Sequence, residues 1–145
     1  MKALIQRVKR ASVTIDGKLY SSIGFGLLVF LGVEKGDSEE NAMKLAQKLT
    51  TLRIFEDDNE KMNLSLSDVQ GEMLIVSQFT LCGDCKKGTR PSFDKSAPPE
   101  IAEVLYEKFT DYVKQLNIPV QTGKFRAMMD VELVNDGPVT FMVEK

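Results

Sequence analysis

Apolar and polar positions alternate loosely from Lys2 to Val8, and again over Ser12–Ile15 and Lys18–Ile23, which predicts strands with one buried face. Asp16-Gly17 between the last two suits a type I′ hairpin turn, whose central residues both need positive φ. Gly26–Val33 is a continuous apolar run, the mark of a strand buried on both faces, and the N-terminal third reads as an antiparallel meander. The period then changes. Ala42, Leu45, Ala46 and Leu49 fall at helical spacing and make one apolar stripe, with Asp37 as N-cap and Glu40 three residues on in capping-box spacing. Leu52–Phe55 returns to strand, Glu56–Lys61 is a charged solvated turn, and Glu72–Leu81 is a central strand. Pro98-Pro99-Glu100 opens a second helix, since proline is tolerated in a first turn. Its apolar face is Ile101, Val104, Leu105, Phe109, Tyr112, Val113 and Leu116, and Asn117 and Pro119 end it. Val120–Thr122, Met129–Val134 and Val139–Val143 predict three further strands, the last two joined by a turn at Asn135-Asp136-Gly137-Pro138. Strands interrupted by two amphipathic helices make an α+β fold, with mainly antiparallel sheet curled into a barrel-like core.

Composition narrows the function classes. A chain of 145 residues, 43% of them apolar, is expected to form a single domain over residues 1–145. Its net charge of −2 argues against a surface that grips nucleic acid everywhere, while leaving room for a local basic patch. No apolar leader follows Met1-Lys2 and no run is long enough to span a membrane. Two cysteines without a secretory signal point to a reducing, cytoplasmic setting. The chain has no histidine, which removes Ser-His-Asp and Cys-His catalysis together with the commonest metal ligand.

One strand breaks its own pattern. Met73–Val76 is apolar throughout, and then Ser77, Gln78 and Thr80 bring an amide and two hydroxyls into the strand end. Buried, such groups cost roughly 1–3 kcal/mol each unless paired. They either satisfy one another and a neighbouring loop or they serve a site. The aperiodic stretch Cys82–Pro99 carries Lys86, Lys87, Arg90 and Lys95. These cations are either solvated surface or phosphate contacts, and their position directly after the polar strand end favours contact. Cys82-Gly-Asp-Cys85 lacks the βαβ setting of a redox motif and a second ligand pair for zinc, so two free thiols and no metal are expected. Gly137-Pro138 is either a plain turn or a bond held cis, which would set successive carbonyl oxygens nearly parallel as a receptor for an ammonium group.

Ser77-Gln78-Phe79-Thr80-Leu81 at a strand end and Asn135-Asp136-Gly137-Pro138-Val139-Thr140 near the C-terminus resemble the paired signatures of the D-aminoacyl-tRNA deacylases, editing enzymes that remove D-amino acids from tRNA. The chain also resembles that family at Gln6-Arg7-Val8, Asn63-Leu64-Ser65 and Gly88-Thr89-Arg90-Pro91-Ser92-Phe93, so the likeness spans essentially its whole length. Either motif alone is weak; both, in order, are specific. The resemblance implies a homodimer that needs no cofactor and hydrolyses the ester of tRNA charged with a D-amino acid. It implies that Ser77, Gln78, Phe79 and Thr80 line the catalytic pocket and that the cis Gly137-Pro138 of the other chain gates it in trans; the position of the basic loop then makes Lys86, Lys87 and Arg90 the expected contacts to the tRNA.

The missing histidine suits such a reaction, because an aminoacyl ester is already activated. No base stands ready to activate Thr80, so attack by water is expected, with backbone N–H groups near Phe79 and Thr80 stabilising the oxyanion and the substrate's ribose hydroxyl assisting. Rigid carbonyls that exclude an L side chain would not exclude glycine, so glycyl-tRNA mischarged on tRNA-Ala is a further expected substrate. Arg126 departs from the pattern, since relatives usually have glycine there, and glycine permits close backbone approach. The alternative from another class is a non-catalytic dimeric module that binds an RNA 3′ end or a small ammonium ligand.

Overall fold

A computed structural model describes residues 1–145. In chain order the elements are β1 (Lys2–Ile15), β2 (Lys18–Ile23), β3 (Gly26–Gly32), α1 (Glu39–Thr51), β4 (Phe55–Glu56), β5 (Met62–Leu64), β6 (Glu72–Ser77), α2 (Pro99–Gln115), β7 (Val120–Thr122) and β8 (Asp130–Glu144). β4 and β5 form a small separate hairpin, and the other strands make one sheet. β1 is its spine. One edge of β1 carries β3 along Lys2–Val8 and then β2 along Ala11–Ile15, while the other edge carries β8. Pairing is antiparallel except at β3–β6 and β6–β7, whose parallel register suits their continuous apolar runs. Ser21 Oγ on β2 donates 2.8 Å to the Thr122 carbonyl on β7, so the sheet curls until its far strands meet and is nearly closed.

The two faces of the curled sheet follow from the two-residue period of strands. Leu27, Val29 and Leu31 of β3, with Met73 and Ile75 of β6, meet Leu45 and Leu49 of α1 and Leu105, Phe109 and Val113 of α2. Val8, Ala11, Val13, Ile23, Leu28, Leu74 and Val76 fill the inside of the curl. The sheet is therefore buried on both sides, and β6 lies within it between β3 and β7.

Several sequence expectations are corrected here. The N-terminal third is no meander, because β2 and β3 both pair with the long β1 and not with each other. Ser38, not Asp37, caps α1: its hydroxyl accepts from Asn41 N–H, and the Asn41 side chain accepts from Ser38 N–H. Asp37 instead takes the Met1 ammonium at 2.6 Å and the Glu34 N–H at 2.6 Å. Of Leu52–Phe55, only Phe55 is in a strand. Ile101 and Val104 of α2 are 52% and 54% exposed, because the helix buries the stripe Leu105, Tyr106, Phe109 and Val113. The Asp16-Gly17 turn is as expected, with φ of 51° and 73°.

Tyr106 ties α2 to β6, its buried hydroxyl donating 2.8 Å to the Ile75 carbonyl. Burial raises its pKa far above the usual phenol range. A raised folded-state value gives stability that is complete below the unfolded pKa, about 10, and lost as pH rises above it. Tyr106→Phe should therefore cost about 1 kcal/mol at neutral pH, and the gap to wild type should narrow above pH ~10. Urea denaturation across that range is the check; a gap that widens at alkaline pH would contradict the buried, neutral phenol.

Candidate active site

β6 ends at Ser77, paired with Leu31, and does not run on to Leu81. Gln78 N–H donates 2.8 Å to the Leu31 carbonyl as the last sheet bond, and Phe79–Cys82 then winds into a 3₁₀ turn over β3. Gly32 permits this: a Cβ there would lie 3.1 Å from both Cys82 Sγ and Leu81 Cβ. The turn lifts Phe79 and Thr80 to the surface, Phe79 being 55% exposed, so the amide and hydroxyls predicted to be buried meet solvent in the protomer. Gln78 Nε2 donates to Thr80 Oγ1.

Beneath the turn is a cavity of about 690 Å³. Ser77, Gln78 and Phe79 line it from one side; Phe93, Ala97, Pro99 and Ala102 from a second; and Phe125–Met129 from a third. Phe79 and Phe93 pack with ring centroids 5.0 Å apart, which attaches the basic loop to the site. Thr80 is not in the cavity wall, and Lys86, Lys87 and Arg90 stand exposed on the loop outside it. Cys82 is buried, its thiol 3.5 Å from the Val33 carbonyl and its pKa raised by burial, while Cys85 is exposed and both are free. No three His, Cys, Asp or Glu side chains gather in a metal-binding arrangement.

The second signature is not a turn between two strands. β8 is continuous, and its register against β1 jumps from Asn135↔Val8 to Thr140↔Gln6, so Asp136–Val139 bulge out opposite Arg7. The Gly137-Pro138 peptide is cis. Asn135 fills the bulge from within, its Nδ2 donating 3.0 Å to the Arg7 carbonyl and 3.2 Å to the Val139 carbonyl. A Cβ on residue 137 would lie 2.2 Å from Asn135 Oδ1, which explains glycine there. Arg7, only 5% exposed, clamps the bulge: Nε donates 2.9 Å to the Asp136 carbonyl and lies 3.0 Å from Asp136 Oδ2, and Nη1 donates 2.8 Å to the Ile54 carbonyl. Gln6 Nε2 donates 3.2 Å to Thr140 Oγ1. Sequence reasoning assigned Arg7 no role. The available signal was an arginine in a strand between the apolar residues Ile5 and Val8, which demands acceptors.

The fold does not bring the two signatures together. Ser77, Leu31, Ala3 and Val143 form one row across four strands, and the bulge sits on the last of these strands, opposite a residue four further along β1. At about 4.8 Å per strand and 3.3 Å per residue, Ser77 and the bulge are roughly 20 Å apart. Between them the row Met142–Leu4–Phe30–Val76 runs across the same sheet, with Met142 49% exposed and Phe141 beside it 40% exposed.

Residues 4–144 match the family model described as D-Tyr-tRNA(Tyr) deacylase. A D-aminoacyl-tRNA deacylase of Geotalea daltonii is 60% identical over 99% of this chain and 96% of its own length. One of Thermodesulfovibrio yellowstonii is 57% identical over 99% of this chain and 98% of its own. Among solved structures, the c-Myc DNA unwinding element binding protein superposes with a TM-score of 0.95 at 42% identity, covering 100% of this chain and 99% of that one. A probable eukaryotic D-amino acid tRNA deacylase shares the fold, with a TM-score of 0.82 at 18% identity over 99% and 98% of the two chains.

Arg7→Ala removes a buried fork and leaves the Asp136 and Ile54 carbonyls short of a donor, so the protein should lose about 2–4 kcal/mol in urea denaturation. Arg7→Lys should recover only part of this, because a point charge cannot serve diverging acceptors. Full stability in the alanine variant would mean that the bulge holds without the clamp.

Proposed function

The chain belongs to the D-Tyr-tRNA(Tyr) deacylase family and is an aminoacyl-tRNA ester hydrolase; from that membership we propose that it removes D-amino acids from tRNA as a homodimer, each pocket combining Ser77–Thr80 of one protomer with Gly137-Pro138 of its partner. The observation that carries the shared pocket is the separation of roughly 20 Å between the two signatures across one sheet. A chain that holds both pieces so far apart, with half-covered apolar residues between them, is completed by a second copy whose two-fold axis exchanges them. Met142, 49% exposed on the row between them, then leaves solvent.

In the pocket the cis Gly137-Pro138 carbonyls receive the substrate's α-ammonium and leave no space for an L side chain. Glycine carries no side chain to exclude, so glycyl-tRNA mischarged on tRNA-Ala is hydrolysed as well. Water attacks the ester carbonyl. The leading N–H groups of the 3₁₀ turn, Phe79 and Thr80, have no acceptor within it and stabilise the developing oxyanion. The proton passes to the leaving ribose oxygen with help from the neighbouring ribose hydroxyl. Thr80 Oγ1 accepts a hydrogen bond from Gln78, which holds the hydroxyl without removing its proton. Thr80 thus positions and does not attack. Lys86, Lys87 and Arg90 contact tRNA phosphates. No helix is long and apolar enough to cross a membrane; the enzyme works in the cytoplasm, where charged tRNA is.

Two experiments test this. The first pairs differently tagged chains, one carrying Ser77→Ala with Gln78→Ala, the other Pro138→Ala. Both homodimers should release D-tyrosine from D-tyrosyl-tRNA poorly, since every pocket carries a defect. With pockets built in trans, the heterodimer gathers all defects in one pocket and should show about half of wild-type activity by two-fold symmetry. A folded heterodimer without rescue would rule out the shared pocket. A wild-type protein that binds and protects the ester would instead favour a binding module.

The second concerns Thr80. Thr80→Ser should stay active, and rapid quench with mass spectrometry should find no aminoacyl group on residue 80. A trapped acyl-enzyme would make Thr80 the nucleophile.

A further inference from the structure

We propose that Arg126 holds a phosphodiester of the tRNA 3′ end, next to the aminoacylated nucleotide, an assignment that rests on the deacylase reading. Arg126 is the only charged residue lining the cavity beneath Ser77–Phe79. Its guanidinium has no partner in the chain: the arginine ion pairs belong to Arg7 and Arg10. Its backbone is left-handed, φ 61°, a region where a side chain costs about 1–2 kcal/mol and glycine is free. Arg126 is exposed and unpaired, at a backbone position that suits glycine and on the wall of an otherwise uncharged cavity, so its guanidinium is free to take an anionic ligand.

The substrate decides which anion. In an aminoacyl ester the amino acid's carboxyl is bonded to ribose and its amino group is an ammonium. The aminoacyl end therefore carries only positive charge, and Arg126 repels it. The remaining anions are the phosphodiesters. Arg126 thus orients the substrate in two ways, drawing the nucleotide chain toward Phe125–Met129 and turning the ammonium away, toward the receptor that Gly137-Pro138 would provide. A planar guanidinium engages two phosphate oxygens at once, which a lysine cannot do.

The test compares two substrates with the same ester: D-tyrosyl-tRNA, and D-tyrosyl adenosine, which has no phosphate. Arg126→Gly suits the left-handed backbone and removes the side chain with its cation. It should raise KM for D-tyrosyl-tRNA about tenfold, the effect of one charged hydrogen-bonding contact, with kcat moving less. KM for the adenosine ester should not rise. The slope of log KM against log salt on tRNA should become shallower by about 0.7, one single-strand phosphate contact. Arg126→Lys should keep that slope and part of the affinity. Equal KM changes on the two substrates, an unchanged KM on both, or an unchanged salt slope would each overturn the assignment, as would relief of inhibition by free D-tyrosine with no change in KM for tRNA. Should Arg126→Gly not fold, Arg126→Gln takes its place with the same readouts. If wild type left D-tyrosyl-tRNA intact, the deacylase reading would fall, and filter binding of uncharged tRNA would still test Arg126 through the same salt slope.

Discussion

The pairing of β1 with β8 is the interaction on which the rest depends, because it holds an excess of chain in one place. Asp136–Val139 stand opposite Arg7 alone, and three extra residues in a ladder normally end the pairing. Here the ladder resumes on both sides. The Asn135 amide replaces the missing backbone partners, and the Arg7 guanidinium gathers the Asp136 carbonyl and carboxylate with the Ile54 carbonyl. Both groups are rooted in strands, so the bulge inherits the rigidity of the sheet. Arg7 also reaches Glu56 at 3.5 Å, which joins β1, β8 and the β4 hairpin through one side chain.

The other signature is placed by ending a strand. β6 is fixed by its apolar run and by Tyr106 of α2, and it stops where Gln78 spends its N–H on Leu31. Gly32 then lets the 3₁₀ turn lie against β3 at a distance that would crowd a Cβ. Phe93 reaches back from the loop to Phe79, so the mobile-looking sequence Cys82–Pro99 is attached at the cavity. The result is a pocket with Ser77 and Gln78 at the end of a buried strand, Ser96 and Arg126 elsewhere on its wall, and otherwise apolar lining.

Much of this was legible in the sequence, for physical reasons. The helix stripes, the buried runs and Asp16-Gly17 are local patterns, and local patterns survive folding. The likeness at Ser77–Leu81 and Asn135–Thr140 singled out two segments that the fold makes unusual, a strand end on a cavity and a bulge with a cis peptide. The failures share a cause as well. Whether Ser77–Leu81 continues a strand depends on Gly32, far away in the chain, and whether Asn-Asp-Gly-Pro turns or bulges depends on Arg7 and Gln6. Capping of α1 by Ser38 was local, yet Asp37 also fitted; it was drawn off by the Met1 ammonium, a partner that only the folded chain brings near. Ile101 and Val104 matched the helical period, but α2 packs on a narrower stripe. In each case sequence offered two local solutions and a distant residue chose between them.

A chain without histidine makes sense for this site once its parts are weighed. An activated ester needs little proton transfer, so positioning and charge complementarity carry most of the work. Positioning favours strands and a clamped bulge over loops. Charge complementarity favours a neutral cavity with a single cation placed where the substrate is negative. An imidazole near the ester would add a base but, when protonated, would also compete with the ammonium receptor. Arg126, the main departure from the family pattern, carries its charge on the cavity wall and not on the cis peptide; on the proposed reading it changes how tightly the nucleotide is held without changing which hand of amino acid is accepted.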